Sequence, residues 1–145
     1  MNVLFLTMVS IDVNNRGIYN DLMRKFKNEG HQVYIVCPVE RRSGKKTYLT
    51  KEGNVFTLHV RTLNLQKTNI IEKGIGQLLL EPTFKIALKR YFGEVRFDLI
   101  LYSMIDNEFK YHHSIDCRNS AEEVFDKIRI GNRVLSLYET NRLRV

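Results

Sequence analysis

Apolar positions in this chain gather into short runs separated by polar stretches, and their spacing changes from one run to the next. Val3-Leu4-Phe5-Leu6 and Val33 to Cys37 are continuous apolar runs of strand length. Between them Ile18, Leu22 and Phe26 recur every fourth residue, widened by Tyr19 and Met23. This predicts an amphipathic helix from Ile18 to Glu29 with Arg24, Lys25 and Lys27 turned outward. Asp12, Asn14 and Asn15 are candidate caps before the helix, Gly30 suits the left-handed residue that ends one, and Pro38 is expected to break the second strand. Met1 to Pro38 thus reads as strand, loop, helix, strand. Parallel strands need such a crossover, right-handed in nearly all cases, so the unit predicts an open sheet with a helix on one face. Ligands of such sheets sit beyond the carboxyl ends of the strands, which makes the loop from Met8 to Gly17 the first candidate for function.

Further on, Asn54 to Val60 alternates Val55, Thr57 and His59 against Phe56, Leu58 and Val60, a strand pattern that places His59 toward solvent, and Glu52-Gly53-Asn54 before it reads as a hairpin turn. Thr62 to Ile75 has weak periodicity, and Gly74 and Gly76 favour a mobile connection. Glu81-Pro82 is expected to start a helix whose apolar face is Phe84, Ala87, Leu88, Tyr91 and Phe92 and which ends at Gly93. Asp98 to Tyr102 fits a central parallel strand. In the tail, Ser120 with Glu123 has capping-box spacing ahead of the helical stripe Ala121, Val124, Phe125 and Ile128, with Gly131 as its terminator.

The chain has 145 residues, 43% hydrophobic and 27% charged, which suits one globular domain. No apolar run approaches the ~20 residues of a membrane-spanning helix, and Val3 to Leu6 is too short for a signal peptide, so a cytoplasmic protein is expected. The formal net charge of +7 is unevenly spread: residues 1–104 carry 16 Lys and Arg against 9 Asp and Glu, while residues 105–145 carry 7 of each. The excess clusters at Arg41, Arg42, Lys45, Lys46 and Lys51, with a second group at Lys85, Lys89 and Arg90. Such a face can attract a phosphorylated small molecule, anionic lipid headgroups or nucleic acid, or stand as a solvated surface.

Residues with catalytic or metal-binding potential are sparse. Cys37 and Cys117 match no metal or redox spacing and read as reduced thiols. His31 reads as a surface residue at a strand entrance. His112 and His113 are adjacent, which points them apart in a strand, so no metal is expected. Gly74-Ile75-Gly76 follows no strand and lacks the third glycine of a dinucleotide fingerprint. Asp12 and Asp98 are available carboxylates, better suited to capping a loop and starting a strand than to acid–base work.

Met1-Asn2-Val3-Leu4-Phe5-Leu6-Thr7, the loop closing at Gly17, the Asn28-Glu29-Gly30-His31-Gln32-Val33 junction and Phe97-Asp98-Leu99-Ile100 together resemble the N-terminal half of a GT-B glycosyltransferase. The resemblance is to the retaining, family 4 type that builds bacterial surface polysaccharides, over about residues 1–103. It implies a Rossmann-like three-layer domain with a mostly parallel sheet, incomplete relative to a full GT-B enzyme, in which residues 104–145 are a divergent helical tail packed on the same domain. In that family the N-terminal domain holds most of the acceptor site and a second domain holds the nucleotide sugar. The paired carboxylates of the donor half have no match here, since Glu122 and Glu123 are adjacent, so transfer by this chain alone is not expected.

Gly17 matches the family's glycine at the first helix, where backbone N–H groups approach a donor diphosphate. The family often has two consecutive glycines where this chain has Arg16-Gly17, and Arg16 can supply a charge-assisted contact. The resemblance thus implies substrate binding at Asn14, Arg16 and Gly17; the charge cluster adds a phosphate- or membrane-facing patch at Arg41, Arg42, Lys45 and Lys46, and no cofactor is expected. The partners it implies are a nucleotide-sugar donor, a lipid-linked or saccharide acceptor, a donor-domain protein and peripheral contact at the inner membrane face; nucleic acid is not expected. Two alternatives stay open, a noncatalytic module that binds phosphorylated lipid or nucleic acid, and an inactive fragment.

Overall fold

The computed structural model describes residues 1–64, 70–106 and 109–119. The chain begins with β1 (Asn2–Thr7), α1 (Ile18–Asn28) and β2 (Gln32–Glu40), the unit its apolar pattern predicts. A 3-10 turn (Arg41–Ser43), β3 (Tyr48–Glu52), β4 (Val55–Thr62), α2 (Ile70–Phe92), β5 (Phe97–Asp106) and β6 (Phe109–Asn119) follow. Among the described residues the strands form one sheet in the order β3-β4-β2-β1-β5-β6. β1 runs parallel to β2 and β5, and β2 parallel to β4, while β3 and β6 pair antiparallel at the two ends of this order. The architecture is α/β with a mixed, mostly parallel sheet.

Alternation along the strands decides which helix covers which face. Phe5, Val33, Ile35 and Val55 face α1 and pack with Met23, Ile11 and Val13. Leu4, Leu6, Tyr34, Val36, Leu58 and Val60 face the other way and pack with Leu80, Phe84, Ala87, Leu88 and Phe92 of α2. Tyr34 centres this second layer, stacked on Phe56 with ring centroids 5.0 Å apart and edge-on to Phe92 and Phe97. The opening strand is anchored at its start, where the Asn2 N–H donates to Asp98 Oδ2 at 2.7 Å. Asp98 is thus a strand-start residue, as its position suggests.

Several expectations are corrected. The buried face of α1 is turned from the expected stripe: Met23 is enclosed and Tyr19 and Phe26 are half-buried, whereas Ile18 is 81% exposed. Ile18, Leu22 and Phe26 and the set Tyr19, Met23 and Phe26 both fall at the three- and four-residue steps of a helical stripe, and Ile11 and Val13 pack on the same core, so spacing alone does not choose the face. Arg24 does not point outward. It donates from Nε to the Val13 carbonyl and from Nη2 to the Asn15 carbonyl, fixing the loop before α1.

Pro38 does not break β2. Gln32 N–H donates to Met1 O on the β1 side and Val33 N–H to Asn54 O on the β4 side. By alternation Pro38 falls on the β1 side, where the pairing ends at Leu6 with Val36, so no ladder bond is lost.

The hairpin turn is as read, with Gly53 at φ 62, and the Asn54 side chain donates to the Lys27 and His31 carbonyls, tying the turn to the end of α1. α2 starts at Ile70, so Gly74, Gly76 and Pro82 lie inside a helix. The penalty of about 1 kcal/mol per glycine and about 3 kcal/mol for proline is outweighed by the buried face of Leu80, Phe84, Leu88 and Phe92. Pro82 leaves the Leu78 carbonyl without its amide, and the Thr83 hydroxyl bonds back to the next carbonyl, Leu79 O. Tyr91, assigned to the buried face, is 37% exposed. In the described part of the tail, 104–106 and 109–119, the chain is strand where a helical tail was expected: β5 continues to Asp106, and β6 pairs with it. The expected helix after Ser120 lies outside the described residues.

Candidate functional site

The chain after β1 alternates outside regular structure. Ile11 and Val13 are buried beneath it, so Ser10, Asp12 and Asn14 are left to line a cleft of about 320 Å³ on the α1 face of the sheet. Asp12 organises this loop, accepting from the Asn14 N–H at 3.0 Å and from Asn15 Nδ2 at 2.7 Å, the capping role its position suggests. The opposite wall is Thr50 and Glu52 of β3 with Val55, Thr57 and His59 of β4. Asn14 Nδ2 donates to Glu52 Oε2 at 3.3 Å and bridges the two walls.

His59 is half-buried in the cleft wall rather than fully turned to solvent. Its ring stacks on Tyr48 at 4.4 Å, and its Nδ1 lies 3.4 Å from the Cys37 thiol. The pair has the contact of a cysteine–histidine nucleophile and the opposite electrostatics. Burial pushes the Cys37 thiol up to about 11, partly offset by a backbone hydrogen bond at Ile11. Burial, and then the charge of Lys45, lower the pKa of His59. A protonated thiol beside a neutral imidazole is a packed contact rather than an activated thiolate. What the cleft offers is a ring of short hydroxyl, amide and carboxylate groups around a neutral imidazole, a set that recognises a hydroxyl-rich ligand by hydrogen bonding. Among the described residues no group of His, Cys, Asp and Glu is arranged to hold a metal ion.

A second cleft, about 350 Å³, lies where β2 and β4 end against α2. It is lined by Arg41, Arg61, Thr62, Leu63, Leu79, Leu80 and Thr83. Thr62 is buried, and its hydroxyl has no hydrogen-bond partner among the described residues, a condition that costs about 1–3 kcal/mol.

No protein-family model, curated protein or solved structure matches the chain.

Of the residues singled out from sequence, Asn14 lines the first cleft, while Arg16 and Gly17 lie outside both linings. Gly17 precedes α1 with extended backbone, and a Cβ there would meet only the Asn20 side chain. The four basic residues sit in different surroundings. Arg42 is paired with Glu40, Lys45 lies over the Tyr48 ring, Lys46 is exposed, and Arg41 lines the second cleft. Sequence reasoning missed Glu52, Thr57, His59, Arg61 and Thr62. The alternation of Val55, Thr57 and His59 was the available signal, but it reveals a site only once Cys37 is known to pair with His59 across β2 and β4.

Proposed function

We propose that this chain is the acceptor-side domain of a glycosyltransferase-like protein, binding a saccharide acceptor in the cleft between the loop after β1 and the β3–β4 hairpin. The observation that carries this reading is that cleft's lining, in which Ser10, Asp12, Asn14, Thr50, Glu52, Thr57 and His59 bring polar side chains around one space. Two further features support it. The parallel strands run β4-β2-β1-β5 with a helix on each face, an arrangement consistent with a Rossmann-like domain of the GT-B kind. The loop after β1 is one wall of the cleft, where ligands of such sheets sit.

In this reading the nucleotide sugar is bound by a separate donor unit, because among the described residues that line the first cleft there is no arginine or lysine to meet a diphosphate. The protein works in the cytoplasm, with peripheral contact at the inner membrane face. The alternative, a module that binds phosphorylated lipid or nucleic acid through Arg41, Arg42, Lys45 and Lys46, draws less support from a patch in which Arg42 is already paired.

Titration of isotope-labelled protein with oligosaccharides tests the proposal. Amide shifts confined to residues 10–14 and 50–59, weakened about tenfold by Asp12→Ala, are expected, since charged hydrogen bonds contribute about 1.5–3 kcal/mol. Shifts elsewhere, or binding indifferent to Asp12→Ala, would refute it. Sugar transfer by the isolated chain would contradict the division between acceptor and donor units.

A further inference from the structure

The saccharide cleft is negative in a chain whose formal net charge is +7. Two carboxylates line it from opposite walls, Asp12 in the loop after β1 and Glu52 at the end of β3, and no lysine or arginine is among the described residues of the lining. Elsewhere Asp21 and Glu40 are paired with Arg24 and Arg42, whereas neither Asp12 nor Glu52 has a cation within ion-pair distance among the described residues. Asn14 hydrogen-bonds to both, but an amide neutralises no charge. Both Asp12 oxygens are taken by their own loop, while Glu52 accepts only at Oε2, which leaves Oε1 for a ligand. Lys45 lies over Tyr48, which stands four residues before Glu52 on β3, about 13 Å away at the rise of a strand. Lys51 lies over Phe56, on the opposite face of the sheet.

Thr57 adds an independent indication. It is 8% exposed and belongs to the same lining. Strand alternation puts it on the α1 face with Val55 and His59, so its side chain points into the cleft. Its hydroxyl makes no hydrogen bond among the described residues and, unlike that of Thr62, is not sealed from solvent. A nearly enclosed hydroxyl is ordinarily satisfied, so this one is a hydrogen-bonding position for whatever fills the cleft. The two carboxylates require that the same ligand be positive. Among the described residues no group of carboxylates, thiols and imidazoles is arranged for a metal ion, so the positive group is one that donates hydrogens, an ammonium.

We infer that the saccharide taken by this cleft is an amino sugar with its amine free, the ammonium on Glu52 in the field of Asp12 and the Thr57 hydroxyl on a sugar oxygen. The assignment rests on the saccharide reading above and adds to it the charge of the ligand.

Three disaccharides that differ only at carbon 2 separate the two claims: the β-1,4-linked dimers of glucosamine, N-acetylglucosamine and glucose, titrated into isotope-labelled protein at pH 6.5, below the range of a free amine. The glucosamine dimer is expected to bind about fivefold more tightly than the other two, the upper range for an ion pair at an exposed carboxylate, with amide shifts at residues 10–14 and 50–59. Glu52→Gln, which keeps an acceptor for Asn14, should bring the glucosamine dimer down to the level of the glucose dimer. Thr57→Val should weaken all three about threefold without lowering the melting temperature of the free protein, because the hydroxyl it removes has no partner there. Equal binding of the three dimers in the cleft would overturn the amino-sugar assignment and leave the saccharide reading standing. A preference that survives Glu52→Gln, or binding that Thr57→Val leaves intact, would place the ligand elsewhere and overturn the assignment. Spermidine binding as tightly as the glucosamine dimer, or no shift in the cleft with any dimer, would overturn the saccharide reading itself.

Discussion

At the scale of single residues, side chains in this molecule are governed by what encloses them more than by their type. Gly93 shows this for backbone. It ends α2 without a left-handed conformation, yet a Cβ there would collide with the Lys89 carbonyl oxygen. Because the obstacle is backbone, Gly93→Ala is expected to destabilise the fold by roughly 1–3 kcal/mol, measured by urea unfolding. A neutral result would mean that the α2 terminus relaxes freely.

His59 shows the same for charge. Its folded pKa is lowered, first by burial and then by Lys45, so as pH falls through the ordinary value of about 6.5 the unfolded chain takes up its proton before the folded one. The unfolded state then binds more protons, and stability must drop with falling pH until the folded histidine is also charged. Above about pH 7 both states are neutral and this contribution is flat. Comparing melting temperatures at pH 7.5 and 5.5, the drop in the wild type should shrink in His59→Gln. An equal drop in both proteins would rule out this histidine as its source.

At the scale of elements, strands and turns follow from local sequence, whereas helix faces and long helices do not. The apolar run of β1 and the Gly53 turn are local decisions, so both can be read directly. The face of α1 is not local: two stripes share Phe26, and the sheet with Ile11 and Val13 selects the one through Met23. Met23→Ala is expected to cost about 2–5 kcal/mol, as for other large core residues, while Ile18→Ala stays within about 0.5 kcal/mol. Comparable losses at both positions would mean that the stripe read from sequence is the buried one after all. In α2 the glycines and Pro82 signal a break, but the packing of Leu80 to Phe92 overrides them. That override depends on strands distant in sequence, which propensity does not see. The candidate site was legible in the loop after β1, where Asn14 and Asp12 stand, whereas Thr50, Glu52, Thr57 and His59 come from β3 and β4 and need the sheet register to assemble.

At the scale of the whole molecule, the sheet separates two packed layers, and Cys37 reports on the α1 side of it. The thiol is enclosed and held protonated by burial at about 11. In a Cys117→Ser background, Cys37 at pH 8 should resist a thiol reagent for as long as the chain stays folded and react fully in urea, so that its labelling rate tracks opening of the sheet. Rapid labelling of the native protein would show that the loop over β2 opens on its own.

β4 divides its residues between the two clefts, Thr57 and His59 on one side and Thr62 on the other. Inserting or deleting one residue in this strand would exchange the two sets of side chains from that point on. Indels in β4 therefore cannot adjust one cleft and spare the other. Substitution in place is the route by which ligand preference could drift at either site independently, and β4 is where length should be most strictly kept.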